Sequence, residues 1–336
     1  MNYSFSVWGG LSVARVLVIL LGATLLAFLA WQSGDVAKRD EFAAAKEATG
    51  RPFESRMVTG ADGIKIHAAF IGPDDGEPVV LIHGFPEFWY SWRFQAAYLA
   101  DQGFRVMVPD LRGYNRSDKP RGRDNYDVAD YAQDIVAAMD ALGWQKAHLA
   151  GHDVGAGVAW YLAYEHADRI DRAVVFNIPP PQAWAKAVAT GGESTSWYRT
   201  AFKVPFLPEL ALRTLEYRVL VNTFKEDAAT GAFSDDDIAI YQSAWARDNA
   251  ISTMLGFYRA DGVDFASALP TGAPEPPTLF IGSAGDRYVP DGSLDATEDL
   301  LGSENVEVWQ NTSHWVLQEE PSLSASTMAD WFRDDG

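Results

Sequence analysis

The sequence contains no cysteine. That excludes disulfides, cysteine-ligated zinc and a thiolate nucleophile, while leaving the redox compartment open, because the absence suits both environments. Long basic runs and basic-aromatic stripes are missing too. Only 27 lysines and arginines stand against 46 acids, a formal net charge of −19. A field of that sign repels phosphate backbones, so nucleic acid is not an expected partner. No internal repeat or low-complexity tract interrupts the 336 residues. What is abundant is apolar and aromatic. Hydrophobic residues make up 48% and there are twelve tryptophans, a composition that can bury a core and does not belong to disordered chains. The length suits one large domain with an insertion, or two modest ones.

The N-terminus differs in kind from the rest. Residues Leu11 to Trp31 are nearly all apolar, with Arg15 the only charge, and about twenty such residues suffice to cross a bilayer's hydrocarbon core. Residues 1–34 therefore read as a membrane anchor. A cleaved signal peptide is the rival, but the run is long for its apolar region and no A-x-A-like site precedes Trp31. Lys38, Arg39 and Lys46 follow the run, which by the positive-inside tendency leans toward a catalytic domain on the cytoplasmic side. Residues 35–51, charged and alanine-rich, read as a helical stalk or linker.

From Ser55 onward, short β-branched runs alternate with helical patterns: PVVLIHG (Pro78 to Gly84), FRVMVPD (Phe104 to Asp110), AHLAGHD (Ala147 to Asp153), DRAVVFN (Asp171 to Asn177) and PTLFIGSAGD (Pro277 to Asp286). Near-continuous apolar strands separated by helices predict an α/β domain with a mostly parallel central sheet, covered by helices on both faces. The strand signal vanishes after Pro179-Pro180-Pro181, and aromatic-rich helical patterns take over until about Pro270. The domain layout expected is a core over 52–178, a helical cap over 179–270 inserted late in the sheet, and the core resumed over 271–336. Ser234 followed by three aspartates reads as an N-cap with an acidic first turn, not as a metal site.

Ligands of open α/β sheets bind beyond the carboxyl ends of the strands, and chemistry-bearing side chains fall there. Asp153 sits in Gly151-His152-Asp153-Val154-Gly155, on a sharp turn from strand to helix. A carboxylate between glycines on such an elbow is strained and calls for a reason. Asp286 follows a later strand and His314 follows NVEVWQ, the expected last strand. Nucleophile, acid, histidine is the chain order of an α/β-hydrolase triad. Taken singly, Asp286 reads equally well as a turn residue, and His314 as a structural hydrogen-bonder.

The stretch HGFPEFWYSWRFQ (His83 to Gln95), the GHDVG elbow, the Asp286 and His314 loops and the cap resemble the epoxide hydrolases of the α/β-hydrolase superfamily, from about Arg56 to the C-terminus. The resemblance implies the α/β-hydrolase fold, an aspartate nucleophile at Asp153 and an Asp286-His314 pair activating water. It implies an oxyanion hole from the N–H groups of Phe85 and Val154, and two cap tyrosines holding the epoxide oxygen. Those tyrosines match Tyr198 in WYRTAFK and Tyr258 in GFYRA; without the motifs either reads as packing with a satisfied hydroxyl. The expected reaction turns a small apolar epoxide and water into a vicinal diol, with no metal and no cofactor.

A serine nucleophile could not replace the aspartate, since its ether with the substrate would offer water no carbonyl to attack. Candidate pocket residues are His83, Pro86, Trp89, Phe202, Phe257 and Trp315, where aromatics serve an apolar substrate or the core equally well. Val154, Lys203 and Gly256-Phe257 depart from the family's usual tryptophan, glutamine and Asn-Trp, which puts the shape of the pocket in doubt. The alternatives are a haloalkane-type dehalogenase with the same nucleophile, though Val154 supplies no indole N–H for a halide, and a non-catalytic ligand-binding member of the fold. The oligomeric state is not set by the sequence.

Overall fold

A computed structural model describes residues 36–192, 197–260 and 271–334. Its centre is one eight-stranded sheet: β1 (Glu54–Thr59), β2 (Lys65–Ile71), β3 (Pro78–Ile82), β4 (Arg105–Pro109), β5 (Ala147–His152), β6 (Ile170–Phe176), β7 (Thr278–Ser283) and β8 (Val306–Trp309). The spatial order is β1-β2-β4-β3-β5-β6-β7-β8. β1 and β2 run antiparallel to their neighbours, and β3 to β8 are parallel. The expected α/β-hydrolase fold with its mostly parallel sheet is what forms. Four of the central strands, β3, β4, β5 and β7, are buried along nearly their whole length, as strands covered by helices must be.

The strand signals begin at Pro78, but the sheet begins earlier. β1 and β2 form a hairpin whose turn puts Asp62 and Gly63 at positive φ. β1 is the edge strand and all but one of its residues are exposed, so it carries no apolar alternation to read.

Strand order places the site. β4 follows β3 in the chain and pairs on one side of it, while β5 pairs on the other. The winding reverses there, and the crevice beyond the carboxyl ends of β3 and β5 is where such sheets bind ligands. Because β3 to β8 are parallel, the loops leaving β3, β5, β6, β7 and β8 all emerge at this edge.

Between β6 and β7 lie the helices Pro181–Ala189, Trp197–Phe202, Leu207–Asp227, Asp235–Trp245, Ala250–Met254 and Gly256–Arg259. Ser234 caps the fourth of these: its Oγ accepts from the N–H of Asp237, whose carboxylate accepts from the N–H of Ser234 in return, both at 3.0 Å. Asp237 also accepts from Tyr90 at 3.0 Å and Arg93 at 2.8 Å, so the acidic run is a cap that also ties the insertion to the core.

The segment expected as a stalk is helical, over Glu41–Thr49, between the cap residues Asp40 and Gly50. It does not stand off from the domain. Glu41 is buried against Arg116 at 2.7 Å, and Phe42 stacks on Trp89 at 4.6 Å between centroids. The apolar run Leu11 to Trp31 lies outside the described residues, among which no helix is long and apolar enough to cross a membrane.

One buried ion pair locks the first hairpin to the core. Arg112 donates to both oxygens of Asp134 at 2.6 and 2.8 Å, and Asp134 also accepts from the N–H of Ala61 at 2.9 Å. Removing one partner strands a buried charge, so Asp134→Ala is expected to cost about 3–5 kcal/mol in denaturant unfolding, and Arg112→Met with Asp134→Leu to recover most of it. Equal stability of the single and double variants would refute this.

Candidate active site

The strand β5 ends at His152 and the helix Val154–Glu165 begins two residues later, with Asp153 between them at φ 51° and ψ −117°. A residue other than glycine in that region stores strain of about 1–3 kcal/mol. The turn is possible because its flanks are bare. A Cβ on Gly155 would lie 2.1 Å from the carbonyl oxygen of Ile82, and one on Gly151 would lie 2.3 Å from that of Gly155. The helix therefore presses against β3, and Asp153 is lifted above the sheet.

Asp153 occupies the N-cap position, yet its side chain makes no cap hydrogen bond. One oxygen, Oδ1, instead accepts from the N–H of Phe85 at 2.7 Å. The other, Oδ2, lies 3.5 Å from Nε2 of His314. A residue serving only as a cap would turn its carboxylate to the helix N–H groups. Phe85 and Val154 thus bracket the carboxylate, the first through its N–H and the second as the opening residue of a helix whose first N–H groups lack intrahelical partners.

His314 is held from behind. Its Nδ1 pairs with Oδ2 of Asp286 at 2.8 Å. Asp286 accepts as well from the N–H of Tyr288 at 2.8 Å and from Asn177 Nδ2 at 2.7 Å, so its carboxylate holds its own turn and the His314 ring together. Burial alone would push the imidazole toward neutrality, but the charge of Asp286 and the bonds to both carboxylates raise its pKa well above the usual value. Burial would likewise raise Asp153 and Asp286, and His314 outweighs it, holding both below the ordinary carboxylate range. All three shifts favour the charged form of their group.

The two tyrosines meet over the elbow. Their ring centroids are 6.0 Å apart, and Phe202 packs against both, at 5.5 Å from Tyr198 and 5.2 Å from Tyr258. Tyr258 also packs edge-on against Phe85 at 5.4 Å, and Phe257 lies beside it at 5.6 Å. Burial, and then the nearby Asp153 charge, push the Tyr258 phenol well above its usual pKa. It stays a neutral donor. Trp315 is buried beside His314 at 5.0 Å, its indole N–H donating to the carbonyl of Thr223 at 2.9 Å.

Three expected pocket residues serve the framework. Trp89 is fully buried against Phe42 and Phe53, a core side chain placed there by the docked N-terminal helix. His83 is fully buried with both ring nitrogens engaged, Nδ1 with the carbonyl of Gly84 at 2.9 Å and Nε2 accepting from the N–H of Leu111 at 3.0 Å. Burial lowers its pKa, consistent with an accepting nitrogen, and it shapes the loop that carries Phe85. Pro86, which follows a cis peptide bond, accepts from the Trp245 indole at 2.6 Å, joining that loop to the insertion.

Other residues come into view only in three dimensions. Asn177 closes β6 at φ 66° and bonds Asp286; its Nδ2 also reaches the carbonyl of His314 at 3.3 Å. His152 donates to that same carbonyl at 2.8 Å and lies 3.3 Å from buried Glu87. Arg259, next to Tyr258, donates to the carbonyl of Phe202 at 2.7 Å and forks onto Glu209 at 2.6 and 3.0 Å. The sequence holds a faint signal for the first two, a polar residue at a strand's carboxyl end, and none for the third.

Comparison with known proteins follows the geometry. Residues 77–321 match the alpha/beta hydrolase fold family. An AB hydrolase superfamily protein of Bacillus subtilis, YfhM, is 31% identical over 277 residues, covering 81% of this chain and 96% of that protein. Epoxide hydrolase 2 of Caenorhabditis elegans is 30% identical over 280 residues, covering 81% of this chain and 78% of that one. The crystal structure of the epoxide hydrolase VrEH1 from Vigna radiata superposes with a TM-score of 0.72 at 25% identity, covering 84% of this chain and 98% of the other.

The charge of Asp153 should be readable at His314. Asp153→Asn removes an anion from the imidazolium, so the histidine should titrate at lower pH than in the unaltered protein, as followed by nitrogen-15 NMR. The group's folded value lies above its unfolded one of about 6.5, so its stabilisation is complete below that pH and fades as pH rises through the folded value. An unmoved titration would sever the proposed link between nucleophile and base.

Proposed function

Because the chain belongs to the alpha/beta hydrolase fold family and is an epoxide hydrolase within it, we propose that Asp153 is the group that opens the epoxide ring. Oδ2 attacks a ring carbon in line with the departing C–O bond and becomes the bridging oxygen of an alkyl ester. The freed oxygen develops as an alkoxide between the hydroxyls of Tyr198 and Tyr258, which donate to it and supply its proton, and the phenols are reprotonated later in the cycle. Oδ1, already against the N–H of Phe85 at 2.7 Å, is left as the ester carbonyl.

Ester formation changes the charge next to His314. The Asp153 anion is consumed, and with it one of the two carboxylates that raise the imidazole's pKa. The histidine then gives up its proton more readily, and that proton restores the phenol that protonated the alkoxide; the neutral ring can take one from water, while Asp286, Asn177 and the Tyr288 N–H keep it oriented. Hydroxide adds to the ester carbon, and Oδ1 carries the resulting charge against the N–H groups of Phe85 and Val154. Collapse expels the diol with Oδ2 and restores a carboxylate whose new oxygen comes from water.

The single observation behind this assignment is that the carboxylate of Asp153 is turned to Phe85 and His314 instead of capping its own helix. The aromatic flank of Phe85, Phe202, Phe257 and Trp315 supports an apolar epoxide as substrate. Residues 179–270 we read as the cap that supplies the tyrosines, between core segments 52–178 and 271–336, and Leu11 to Trp31 as an anchor in the membrane. A halide-releasing reaction lacks support here, because the donors over the elbow are the two phenols and Val154 follows the nucleophile.

Oxygen bookkeeping tests the scheme. With enzyme in excess over an aryl epoxide in heavy-oxygen water, the diol of the first turnover should carry no label and the peptide bearing Asp153 should gain it. Label in the first diol would mean direct hydration and would remove Asp153 as nucleophile. In parallel, Tyr258→Phe should slow ester formation by about 10²- to 10³-fold, the usual cost of losing one oxyanion donor, and the double change with Tyr198→Phe should be far more severe.

A further inference from the structure

Away from the elbow, a cleft of about 1080 Å³ opens between the N-terminal segment and the helical insertion. Its walls carry five cations, Lys38, Arg39, Arg116, Arg213 and Arg247, against two carboxylates, Asp40 and Asp248. In a chain whose acids outnumber its bases 46 to 27, that local inversion is unexpected. Asp40 is occupied in capping the helix it precedes, accepting from the N–H groups of Phe42 and Ala43 at 3.0 and 3.1 Å. Arg116 and Arg247 are fixed from behind, the first on Glu41 at 2.7 Å and the second on Asn115 at 2.7 Å. Lys38, Arg39 and Arg213 are exposed, and no ion pair among the described residues engages them. The charge of its walls suits an anion.

The rim narrows the choice of anion. On the segment that carries Arg213 and Tyr217, whose helix breaks at Thr214 to Tyr217, Leu207 is 66% exposed, Leu215 in the break 52% and Val219 beyond it 48%, and Phe206 just before the segment is 82% exposed. Cations beside unpartnered apolar side chains are the composition of a surface that settles into a lipid interface. Val36, in the cleft wall, is five residues from Trp31, the end of the apolar run. Five residues span at most about 18 Å, so a bilayer holding that run lies within reach of the cleft.

We propose that the cleft seats the phosphate headgroup of an anionic phospholipid and lays the exposed apolar side chains of Phe206, Leu207, Leu215 and Val219 on the bilayer, an inference that rests, for the membrane's nearness, on reading Leu11 to Trp31 as an anchor. The insertion then meets its apolar substrate where apolar epoxides concentrate.

The full chain, free of native cysteine, allows a single reporter. Leu207→Cys carrying a polarity-sensitive dye is mixed with vesicles of phosphatidylcholine, alone or with phosphatidylglycerol, and both flotation and dye emission are read. The dye should shift to an apolar signature only when phosphatidylglycerol is present. In Lys38→Gln/Arg39→Gln/Arg213→Gln the seated state should weaken by about 100-fold, roughly fivefold for each cation, while turnover of a dissolved aryl epoxide stays within about twofold, which shows the variant folded.

Flotation with both lipids and an unmoved dye would keep the anchor and overturn the cleft. Flotation and dye shift with phosphatidylglycerol alone would support the cleft and overturn the anchor. No flotation with either would overturn both. Inorganic phosphate alone, if it saturates the cleft and suppresses any response to lipid, would make this a site for a soluble anion and overturn the lipid assignment.

Discussion

The backbone turn at Asp153 is the constraint on which the rest depends. A strand buried in the middle of the sheet must reverse into a helix within one residue, and that residue takes a φ of 51°. At the turn itself the Asp153 carbonyl accepts from the N–H groups of Ala156 and Gly157 at 3.0 and 3.2 Å, bonds that a relaxed backbone could also make. The conformation persists because the helix beyond it is pressed into β3 through Gly155 and is buried along most of its length, so the strain is offset by packing that any relaxed turn would lose. The same close approach brings the loop after β3 alongside, and with it the Phe85 N–H that holds Oδ1. The lifted carboxylate and the N–H that holds it are thus consequences of one piece of packing.

Charge is balanced around that turn with equal economy. Two buried carboxylates near each other would repel and one would take up a proton, but His314 lies between them and keeps both ionised. The arrangement stays stable only while both anions exist. In the proposed mechanism esterification removes one of them, which would make the base available when the intermediate that needs it has formed. No movement of the backbone is needed for this change of role; the electrostatics follow the covalent state of Asp153.

The sheet and the candidate site were legible in the sequence because both rest on local patterns. Near-continuous apolar runs marked five parallel strands, and a carboxylate in GHDVG, with Asp286 and His314 after later strands, marked the site. What could not be read is what depends on partners distant in the chain. β1 has five exposed residues of six and shows no period, since the edge of a sheet need bury little. Trp89 looked like a pocket wall because it follows the HGFPE motif, but the helix Glu41–Thr49 folds back and covers it. The segment that holds that helix was read from composition alone, and composition does not reveal that Glu41 finds Arg116 or that Phe42 finds Trp89.

The molecule divides its chemistry between a part that is fixed and a part that is carried. Asp153, Asp286 and His314 stand at strand ends of a single sheet, where register sets their spacing. Tyr198 and Tyr258 stand on short helices of six and four residues, too short to be stable through their own hydrogen bonds. Their positions must come from elsewhere, and Arg259 provides the link: one guanidinium bonds the carbonyl that ends the first helix, belongs itself to the second, and forks onto Glu209 of a third. The neighbouring groups that shape the pocket, Phe202 and Phe257, ride on the same two short helices. Sequence change in the insertion can therefore reshape the space around the epoxide while Asp153, His314 and Asp286 keep their geometry. Changes at Arg259 would instead be felt by both tyrosines at once, because one guanidinium ties the helices that carry them together.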